Sequence, residues 1–367
     1  MNRCCTAGSC VVEYWKYQLR EIQMEQKLFF TSDYMEGAHP SILRALIETN
    51  LQKTVGYGLD PFCKSAAEKI RKACCCPKAQ IWFLVGGTQT NATVIGSCLH
   101  SWQGVVAAET GHINSHEAAA IEAGGHKVLT LPHEMGKLRA ETVEAMLEQY
   151  YNDANHEHMV EPGMVYISHP TEYGTLYSRE ELESIHGVCN RFGIPLYLDG
   201  ARLAYALASP ENDVTLADLC RLCDVFYIGG TKCGAFAGEA VVVPRVDLMP
   251  HFFSIMKQNG ALLAKGRFLG IQFDCLFQDD LYYHIGADAV RYAGMIREAL
   301  ESRGYRLAFD TPTNQVFVLL DNRRMEELGK QVEFSFWEQT DEQHSVIRLV
   351  TSWATTEDDI RRLIDIL

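Results

Sequence analysis

Short apolar runs rich in β-branched residues alternate with longer amphipathic segments between about residues 78 and 245. Runs of this kind, bounded by glycine, proline or polar residues, are typical of buried strands. The seven predicted strands are IWFLV (81–85), GVVAAE (104–109), KVLTL (127–131), MVYISH (164–169), PLYLD (195–199), VFYIG (225–229) and EAVVV (239–243).

The segments between these strands carry helical patterns, among them TNATVIGSCLHSW (90–102) and SREELESIHGVCNRFG (178–193). The second opens with a Ser-x-x-Glu capping box and ends in glycine, as helices commonly do. The alternation predicts an α/β domain with a mainly parallel sheet covered by helices on both faces. Ligands of such sheets bind beyond the carboxyl ends of the strands, which singles out residues 86–88, Asp199 and residues 230–232.

The pattern changes after residue 281, where a long helix is predicted at about 282–303. The elements after it are the strands RLAFD, QVFVLL, FSFWEQT and SVIRLVTSW, a helix near 323–330 and a final helix that begins at TTEDD. This order predicts a smaller α+β domain. We expect a large domain at 28–281, the small domain at 282–367 and an N-terminal extension at 1–27. Within the extension Met24 is an alternative start, and a native N-terminal helix is the other interpretation.

Charge and composition exclude several classes of protein. The 367 residues include 33 Lys and Arg against 47 Asp and Glu, a formal net charge of −14. An acidic chain without a Lys/Arg run argues against nucleic acid or an anionic membrane as the main partner. No apolar stretch approaches the roughly 20 residues that span a bilayer. The first residues lack the apolar core of a secretory signal, so we expect a cytoplasmic protein.

The thirteen cysteines are expected to be free thiols, because no secretory signal precedes them. Cys220 and Cys223 form a CxxC, but this spacing also fits one buried helix face. His112 and His116 have helix-face metal spacing without the HExxH glutamate. We therefore expect no metal site.

The glycine-rich segment GGTQTN (86–91) follows a predicted strand and opens a helical pattern. Free backbone N–H groups there could bind an anion, although a plain strand-to-helix turn explains the same residues. The chain has neither GxGxxG nor GxxxxGK[ST] at this place, which argues against dinucleotides and nucleoside triphosphates.

Asp199 and Lys232 complete a possible constellation at the same sheet edge. Asp199 either caps the following helix or holds a cationic ligand group such as a protonated pyridine nitrogen. Lys232, in FYIGGTKCGAF (226–236), lies in a small-residue turn where burial would lower its pKa and free a nucleophilic amine. A phosphate site, a carboxylate and a lysine at one sheet edge match the needs of pyridoxal phosphate.

From about Leu28 to its end the chain resembles the low-specificity L-threonine aldolase group of the fold-type-I pyridoxal-phosphate enzymes, also described as β-eliminating-lyase-like. The segments that carry the resemblance are TSDYMEGAHPSIL (31–43), GYGLDP (56–61), GGTQTN (86–91), ETGHINSHEAAAIEAGG (109–125), PTEYGTLYS (170–178), YLDGARL (197–203), GGTKCGAFAGEAVV (229–242), AKGRFLGIQF (264–273) and IRLVTSW (347–353). The fold implied is the fold-type-I transferase-like α/β architecture.

The resemblance implies roles for the residues around the cofactor. Lys232 would form the Schiff base, Asp199 would partner the pyridine nitrogen, and Gly87 and Thr88 would bind the phosphate. His112 would stack on the ring, although taken alone it is more often a structural residue.

Further roles follow for the substrate and for Thr231, which would orient the lysine or contact the phosphate. Arg202, Arg348 and Ser32 would hold the substrate carboxylate, for which a bidentate arginine is the natural receptor; Arg202 would also lie against the cofactor. Without the resemblance, both arginines would be ordinary surface or ion-pair residues.

Two positions imply a homo-oligomer, either a dimer or a tetramer, with sites at the subunit interface. Lys265 falls where such aldolases bring a basic residue from a neighbouring subunit to the phosphate, and Tyr57 lies in a segment that approaches a neighbour's site, where it would contact the substrate. One departure concerns the base. His169 lies one or two places from the usual histidine, where Thr171 and Glu172 stand, so either His112 or His169 could take the substrate's β-hydroxyl proton.

The resemblance implies a carbon–carbon lyase of amino-acid metabolism that cleaves a β-hydroxy-α-amino acid, of the L-threonine or L-allo-threonine type, to glycine and an aldehyde. Two alternatives remain. One is a β-eliminating lyase on the same fold, releasing ammonia and pyruvate, and the other is a cofactor-binding scaffold that has lost turnover.

Overall fold

The computed structural model describes residues 27–367, so nearly all of the predicted extension at 1–27, including Met24, lies outside the described residues. The large part of the fold comprises β1 (Leu28–Phe29), α1 (Pro40–Thr49), α2 (Pro61–Ala73), β2 (Gln80–Leu84), α3 (Gly87–Cys98), β3 (Gln103–Ala108), α4 (His112–Ser115), α5 (Ala120–Ala123), β4 (Val128–Leu131), α6 (Ala140–Asn152), β5 (Glu161–Ser168), α7 (Arg179–Phe192), β6 (Leu196–Asp199), α8 (Leu203–Ala208), α9 (Leu216–Leu222), β7 (Val225–Gly229), β8 (Glu239–Val243), α10 (Phe252–Gln258) and α11 (Arg267–Leu276). The C-terminal part comprises α12 (Leu281–Ser302), β9 (Arg306–Leu307), β10 (Gln315–Asp321), α13 (Asn322–Leu328), β11 (Val332–Glu333), β12 (Ser335–Gln339), β13 (His344–Val350) and α14 (Glu357–Ile366).

All seven predicted strands of the large sheet form, in the order β2-β8-β7-β6-β5-β3-β4. Neighbouring strands are parallel except at β2–β8 and β8–β7, because β8 runs in the opposite direction. The register pairs Gly229 with Glu239, so the first residue of β8 lies beside the last residue of β7.

Along the central strands, side chains alternate between two apolar layers, one on each face of the sheet. Leu198 and Phe226 belong to one layer, whereas Tyr197 and Tyr227, one residue along, belong to the other. This alternation follows from the two-residue period of a strand. Helices therefore cover both faces, as the sequence predicted.

Helix ends follow their capping signals. The Ser178 side chain accepts the Glu181 N–H while the Glu181 carboxylate accepts the Ser178 N–H, which confirms the predicted capping box of α7. Gly193 then ends this helix with φ of 70°, a conformation that glycine adopts without strain.

The C-terminal part forms an antiparallel sheet, in the order β12-β13-β10-β9, against α12 and α14. The beginning of the described chain joins it, because β1 pairs with β11 in parallel and Leu28 and Phe30 are buried in the same apolar cluster. Within residues 27–367 no helix combines the length and apolar character needed to cross a bilayer.

His169 follows β5 and is completely buried, with its Nδ1 accepting the Tyr177 N–H at 3.3 Å. Burial lowers the pKa of this imidazole from 6.5 to about 4, because a buried charge is poorly solvated. The folded protein therefore holds His169 in its neutral form at neutral pH.

This burial predicts a pH-dependent loss of stability. Between pH 6.5 and about 4 the unfolded chain binds a proton at His169 that the folded chain does not. The free energy of unfolding therefore decreases as the pH is lowered through this range. The full effect amounts to about 3 kcal/mol. His169→Asn, whose Oδ1 can replace the Nδ1 acceptor, should flatten this part of the pH profile of the unfolding free energy, measured with urea. Equal slopes for variant and parent protein would contradict the prediction.

Candidate active site

A cavity opens at the carboxyl ends of β5, β6 and β7, the edge that the sequence singles out. Six predicted site residues line it together: Gly87, His112, Asp199, Arg202, Thr231 and Lys232. The remaining predicted residues are not among its lining: Ser32, Tyr57, Thr88, His169, Lys265 and Arg348.

Asp199 ends β6 with a carboxylate that is 4% exposed. Its Oδ1 accepts the Tyr227 hydroxyl at 2.5 Å and the Ala201 N–H at 2.9 Å. Its Oδ2 accepts the Tyr166 hydroxyl at 2.7 Å and Asn91 Nδ2 at 3.1 Å. These four donors fix the orientation of the carboxylate in the cavity wall. The alternative role as a helix cap is not realised, since Arg202 is the N-cap residue of α8.

Tyr166 and Tyr227, on the two strands beside Asp199, remain hydrogen-bond donors. Burial, and then the charge of Asp199, raise the pKa of each hydroxyl well above its ordinary value. Both phenols therefore stay protonated at neutral pH, so each can donate to the carboxylate.

A buried chain of hydrogen bonds joins Asp199 to His112. Asn91 Nδ2 donates to Asp199 and, at 2.7 Å, to Glu117 Oε1, while the Tyr197 hydroxyl donates to Asn91 Oδ1. The same Glu117 oxygen lies 2.7 Å from His112 Nδ1. This network fixes the imidazole relative to Asp199 and leaves its Nε2 free of Glu117.

Lys232 follows the turn that leaves β7. Within residues 27–367 its Nζ forms no hydrogen bond or ion pair, and the Tyr205 hydroxyl donates to its carbonyl oxygen at 2.5 Å. Burial, and then the positive charge of Arg202, lower the pKa of Lys232 below its ordinary value. A lowered pKa gives an amine that is more readily available as a nucleophile.

The N-terminus of α3 offers backbone donors beside this lysine. Gly86 is the N-cap residue without a side-chain cap, and within the described chain the N–H groups of Gly87 and Thr88 have no hydrogen-bond acceptor. A Cβ at Gly87 would lie 3.3 Å from the Tyr227 hydroxyl, so glycine keeps this approach open. Such an N-terminus is well suited to a phosphate group. The Thr231 hydroxyl, by contrast, donates to Glu239 Oε1 at 2.8 Å.

Arg202 is held in a buried ion pair that the sequence analysis did not identify. Its Nε and Nη2 lie 2.7 and 3.1 Å from the two carboxylate oxygens of Asp33. Asn314 Nδ2 also donates to Asp33 at 3.0 Å. Burial alone would raise the pKa of Asp33, but the charges of Arg202 and Lys232 and these hydrogen bonds bring it below its ordinary value. The fork of Arg202 is therefore already occupied by a carboxylate.

Arg348 lies on β13 without a carboxylate partner in the described chain. Its Nη1 donates to Gln315 at 2.9 Å and its Nη2 to Ser335 at 3.3 Å, while its buried Nε has no acceptor. Burial, and then the charge of Arg202, lower the pKa of this guanidinium to about 10. Ser32, which is 4% exposed, likewise has an Oγ without a partner. These two groups could therefore receive an anionic ligand.

Tyr57 and Lys265 lie next to each other, apart from the cavity of Lys232. The Tyr57 N–H donates to Ala264 O at 3.2 Å, and a Cβ at Gly266 would lie 2.4 Å from Gly58 N. Tyr57 is 42% exposed, with Lys257 Nζ 4.5 Å from its ring centre, and Lys265 is exposed as well. A single chain therefore does not bring either residue to its own cavity.

The donors and charges around the cavity fit pyridoxal phosphate. Asp199 could face a protonated ring nitrogen, the N–H groups at the start of α3 could bind the phosphate, and Lys232 could bond the aldehyde carbon. The orphaned Ser32 hydroxyl and Arg348 Nε are polar atoms whose burial calls for a ligand.

Sequence reasoning missed Asp33, Asn91, Glu117 and Glu239, each of which supports a predicted site residue. Asp33 and Glu117 stand inside the quoted segments TSDYMEG and ETGHINSHE, so their acidic character was the available signal. Asn91 carried no such signal, because its three partners, Glu117, Tyr197 and Asp199, are distant from it in the sequence.

Comparison with known proteins agrees with this geometry. A family model described as Beta-eliminating lyase matches residues 30–323. The low specificity L-threonine aldolase of Pseudomonas aeruginosa is 29% identical, over 91% of this chain and 95% of the relative.

Solved structures show the same architecture. The Leishmania major threonine aldolase matches with a TM-score of 0.89 at 43% identity, covering 92% of this chain and 98% of that one. A Thermus thermophilus aspartate aminotransferase variant, 16% identical with a TM-score of 0.69 over 95% of this chain and 97% of its own, shares the fold. These matches confirm the predicted fold class and pyridoxal phosphate as the cofactor. The chain therefore belongs to the beta-eliminating lyase family and is a lyase that depends on pyridoxal phosphate.

Proposed function

We propose that this protein cleaves the Cα–Cβ bond of a β-hydroxy-α-amino acid of the threonine type, giving glycine and an aldehyde. The observation that carries the proposal is a partly desolvated lysine in one cavity with a tightly held carboxylate, together with an arginine, Arg348, that has no carboxylate partner in the described chain. Relatives named low specificity L-threonine aldolase, matched over nearly their whole length, support the choice of substrate.

The cofactor supplies the electron sink that receives the electron pair of the broken bond. Lys232 would hold it covalently, Asp199 would keep its ring nitrogen protonated, and the N–H groups of Gly87 and Thr88 would bind its phosphate. His112, fixed by Glu117, would contact its ring.

Arg348 and Ser32 bind the substrate carboxylate in this proposal. A carboxylate would satisfy the free Arg348 Nε and the free Ser32 hydroxyl together. Arg202 contributes positive charge but not its fork, which Asp33 occupies. Holding the carboxylate orients the Cα–Cβ bond for cleavage.

The base for the β-hydroxyl is assigned to the imidazoles beside the cavity. His112 and His116 stack with ring centres 5.6 Å apart. Burial, and then the charge of His112, lower the pKa of His116, which leaves a neutral ring able to accept a proton. His169 is buried outside the cavity lining, so the proposal gives it no contact with substrate.

We also propose a homo-oligomer, a dimer or a tetramer, in which Tyr57 and Lys265 reach the site of a neighbouring subunit. Exposed apolar side chains along α1 and the following loop support this, because monomers rarely expose such a patch. They are Ile47 (76% exposed), Leu51 (91%), Val55 (63%) and Leu59 (57%).

We place the protein in the cytoplasm, since the ten cysteines in the described residues are free thiols, and cell fractionation tests this assignment.

The reaction is tested by product identity. The purified protein should release an aldehyde and glycine from L-threonine, L-allo-threonine or phenylserine, whereas ammonia and pyruvate from L-serine or L-cysteine would establish the alternative β-elimination. Lys232→Ala should lose both the visible absorbance of lysine-bound cofactor and all turnover, because no other lysine of the described chain lines the cavity. A variant that keeps both would falsify the assignment of Lys232.

The carboxylate receptor is tested by Arg348→Lys, which keeps the charge and loses the fork. A charge-assisted hydrogen bond contributes about 1.5–3 kcal/mol, so the KM for the amino acid should rise roughly 10- to 100-fold. The visible absorbance of the cofactor should not change. Arg306→Lys, an exposed arginine of the same sheet, is the control. An unchanged KM for Arg348→Lys rules out this receptor.

The oligomer is tested by light scattering, which should give two or four times the chain mass of 41.3 kDa. Ile47→Asp combined with Leu51→Asp should lower that mass and the activity together, because charges would be buried at the interface. Met159→Asp, at an apolar residue exposed elsewhere, should change neither. A monomeric, fully active parent protein would contradict the shared site.

A further inference from the structure

Glu239 is a buried carboxyl group bonded directly to the turn that carries Lys232. It is 3% exposed and begins β8, opposite Gly229 at the end of β7 and Leu84 at the end of β2. Because β8 runs against both neighbours, its first residue lies at the edge where theirs end. The reversed strand therefore brings a carboxyl group to the ligand-binding edge of the sheet.

Two hydrogen bonds attach the turn to this carboxyl group. Glu239 Oε2 accepts the Gly230 N–H at 3.1 Å, and Oε1 accepts the Thr231 hydroxyl at 2.8 Å. The Thr231 oxygen in turn accepts the Gly238 N–H at 3.1 Å. The two residues immediately before Lys232 are thus held to the start of β8.

Glu239 and Lys232 also affect each other's protonation. Burial raises the pKa of Glu239 to about 8, against the opposing effects of the Thr231 hydroxyl and the Lys232 charge. Burial and Arg202 lower the pKa of Lys232, while Asp33, Asp199 and Glu239 act to raise it. The two groups therefore bind protons as an interacting pair.

Six other titratable side chains around this pair keep one charge state near neutral pH. Burial raises the pKa of Cys233 to about 12 and raises those of Tyr197, Tyr227 and Tyr282 well above the ordinary value. Arg202 stays charged and Asp33 ionised, since their pKa values move in the directions that favour the charged forms.

We propose that Glu239 is a positioning residue for Lys232: it holds the Gly230–Thr231 turn, and its negative charge sets the proton affinity of the lysine nitrogen. The inference rests on the proposed role of Lys232. When Glu239 is ionised it holds a proton on the lysine, and its protonation makes release of the neutral amine easier.

A purely structural role would have a different signature. Glutamine at 239 can still accept the Gly230 N–H through Oε1 and can donate to the Thr231 oxygen through its amide. The turn would then survive without the charge. Only an electrostatic role predicts that Glu239→Gln changes the pH at which Lys232 loses its proton.

The measurement is the rate at which the full-length, cofactor-free protein captures pyridoxal phosphate, followed by the visible absorbance of the lysine-bound cofactor from about pH 6 to 10. Capture requires the neutral amine, so the rate rises with pH as Lys232 deprotonates. Removing the Glu239 charge lowers the proton affinity of Lys232. The midpoint of the capture rate in Glu239→Gln should therefore fall by about one pH unit. Where the parent carries the Glu239 charge and both proteins are below their midpoints, capture by the variant should then be up to about tenfold faster.

Two variants complete the design. Glu172→Gln removes a half-buried carboxyl group of the same cavity, which accepts the His112 N–H and the Ser168 hydroxyl instead, and should leave the midpoint in place. Glu239→Asp keeps the charge and should retain a midpoint nearer that of the parent, which also covers the case in which the glutamine variant does not fold. Thermal unfolding of each cofactor-free variant checks its fold.

The inference is overturned if Glu239→Gln and the parent share one midpoint, or if Glu172→Gln or Glu239→Asp moves it as far. A parent protein that captures no pyridoxal phosphate at any pH overturns the role of Lys232 as well. That result is distinguishable, because it appears before any substitution is made.

Discussion

The hydrogen-bonded carboxylate of Asp199 is the constraint on which the site depends. A buried negative charge requires compensation, and here four donors from three neighbouring elements and the adjacent turn provide it. The tyrosines that donate stand on β5 and β7, so the register of the parallel sheet decides whether the carboxylate is satisfied. Sheet packing and cofactor chemistry are therefore coupled through one side chain.

A second buried charge follows the same logic. Arg202 is paired with Asp33, so of the two arginines predicted to hold the substrate carboxylate only Arg348 has no carboxylate partner among the described residues. Two arginines that look alike in the sequence thus differ in the structure: the charge of Arg202 is paired inside the protein, and we propose that Arg348 binds the substrate carboxylate. Removing either partner of the Arg202 pair would leave an uncompensated buried charge.

The sequence was sufficient for the large sheet, because each strand is a continuous apolar run between polar boundaries. It also placed Asp199 and Lys232, since residues that end parallel strands meet at one edge. It could not reveal the Asn91–Glu117–His112 network, whose members are joined by tertiary packing. Nor could it reveal the pairing of β1 with β11, because two residues carry no detectable period.

That short pairing has a mechanical consequence. Phe30 is held by backbone hydrogen bonds to Glu333 and Val350, so the segment that continues to Ser32 is attached to the sheet that carries Arg348. Ser32 and Arg348, the two groups assigned to the substrate carboxylate, are therefore both attached to the C-terminal sheet, whereas Lys232 follows a strand of the large sheet. Any hinge motion between the two sheets changes the distance from the carboxylate receptor to the lysine without distorting the receptor itself.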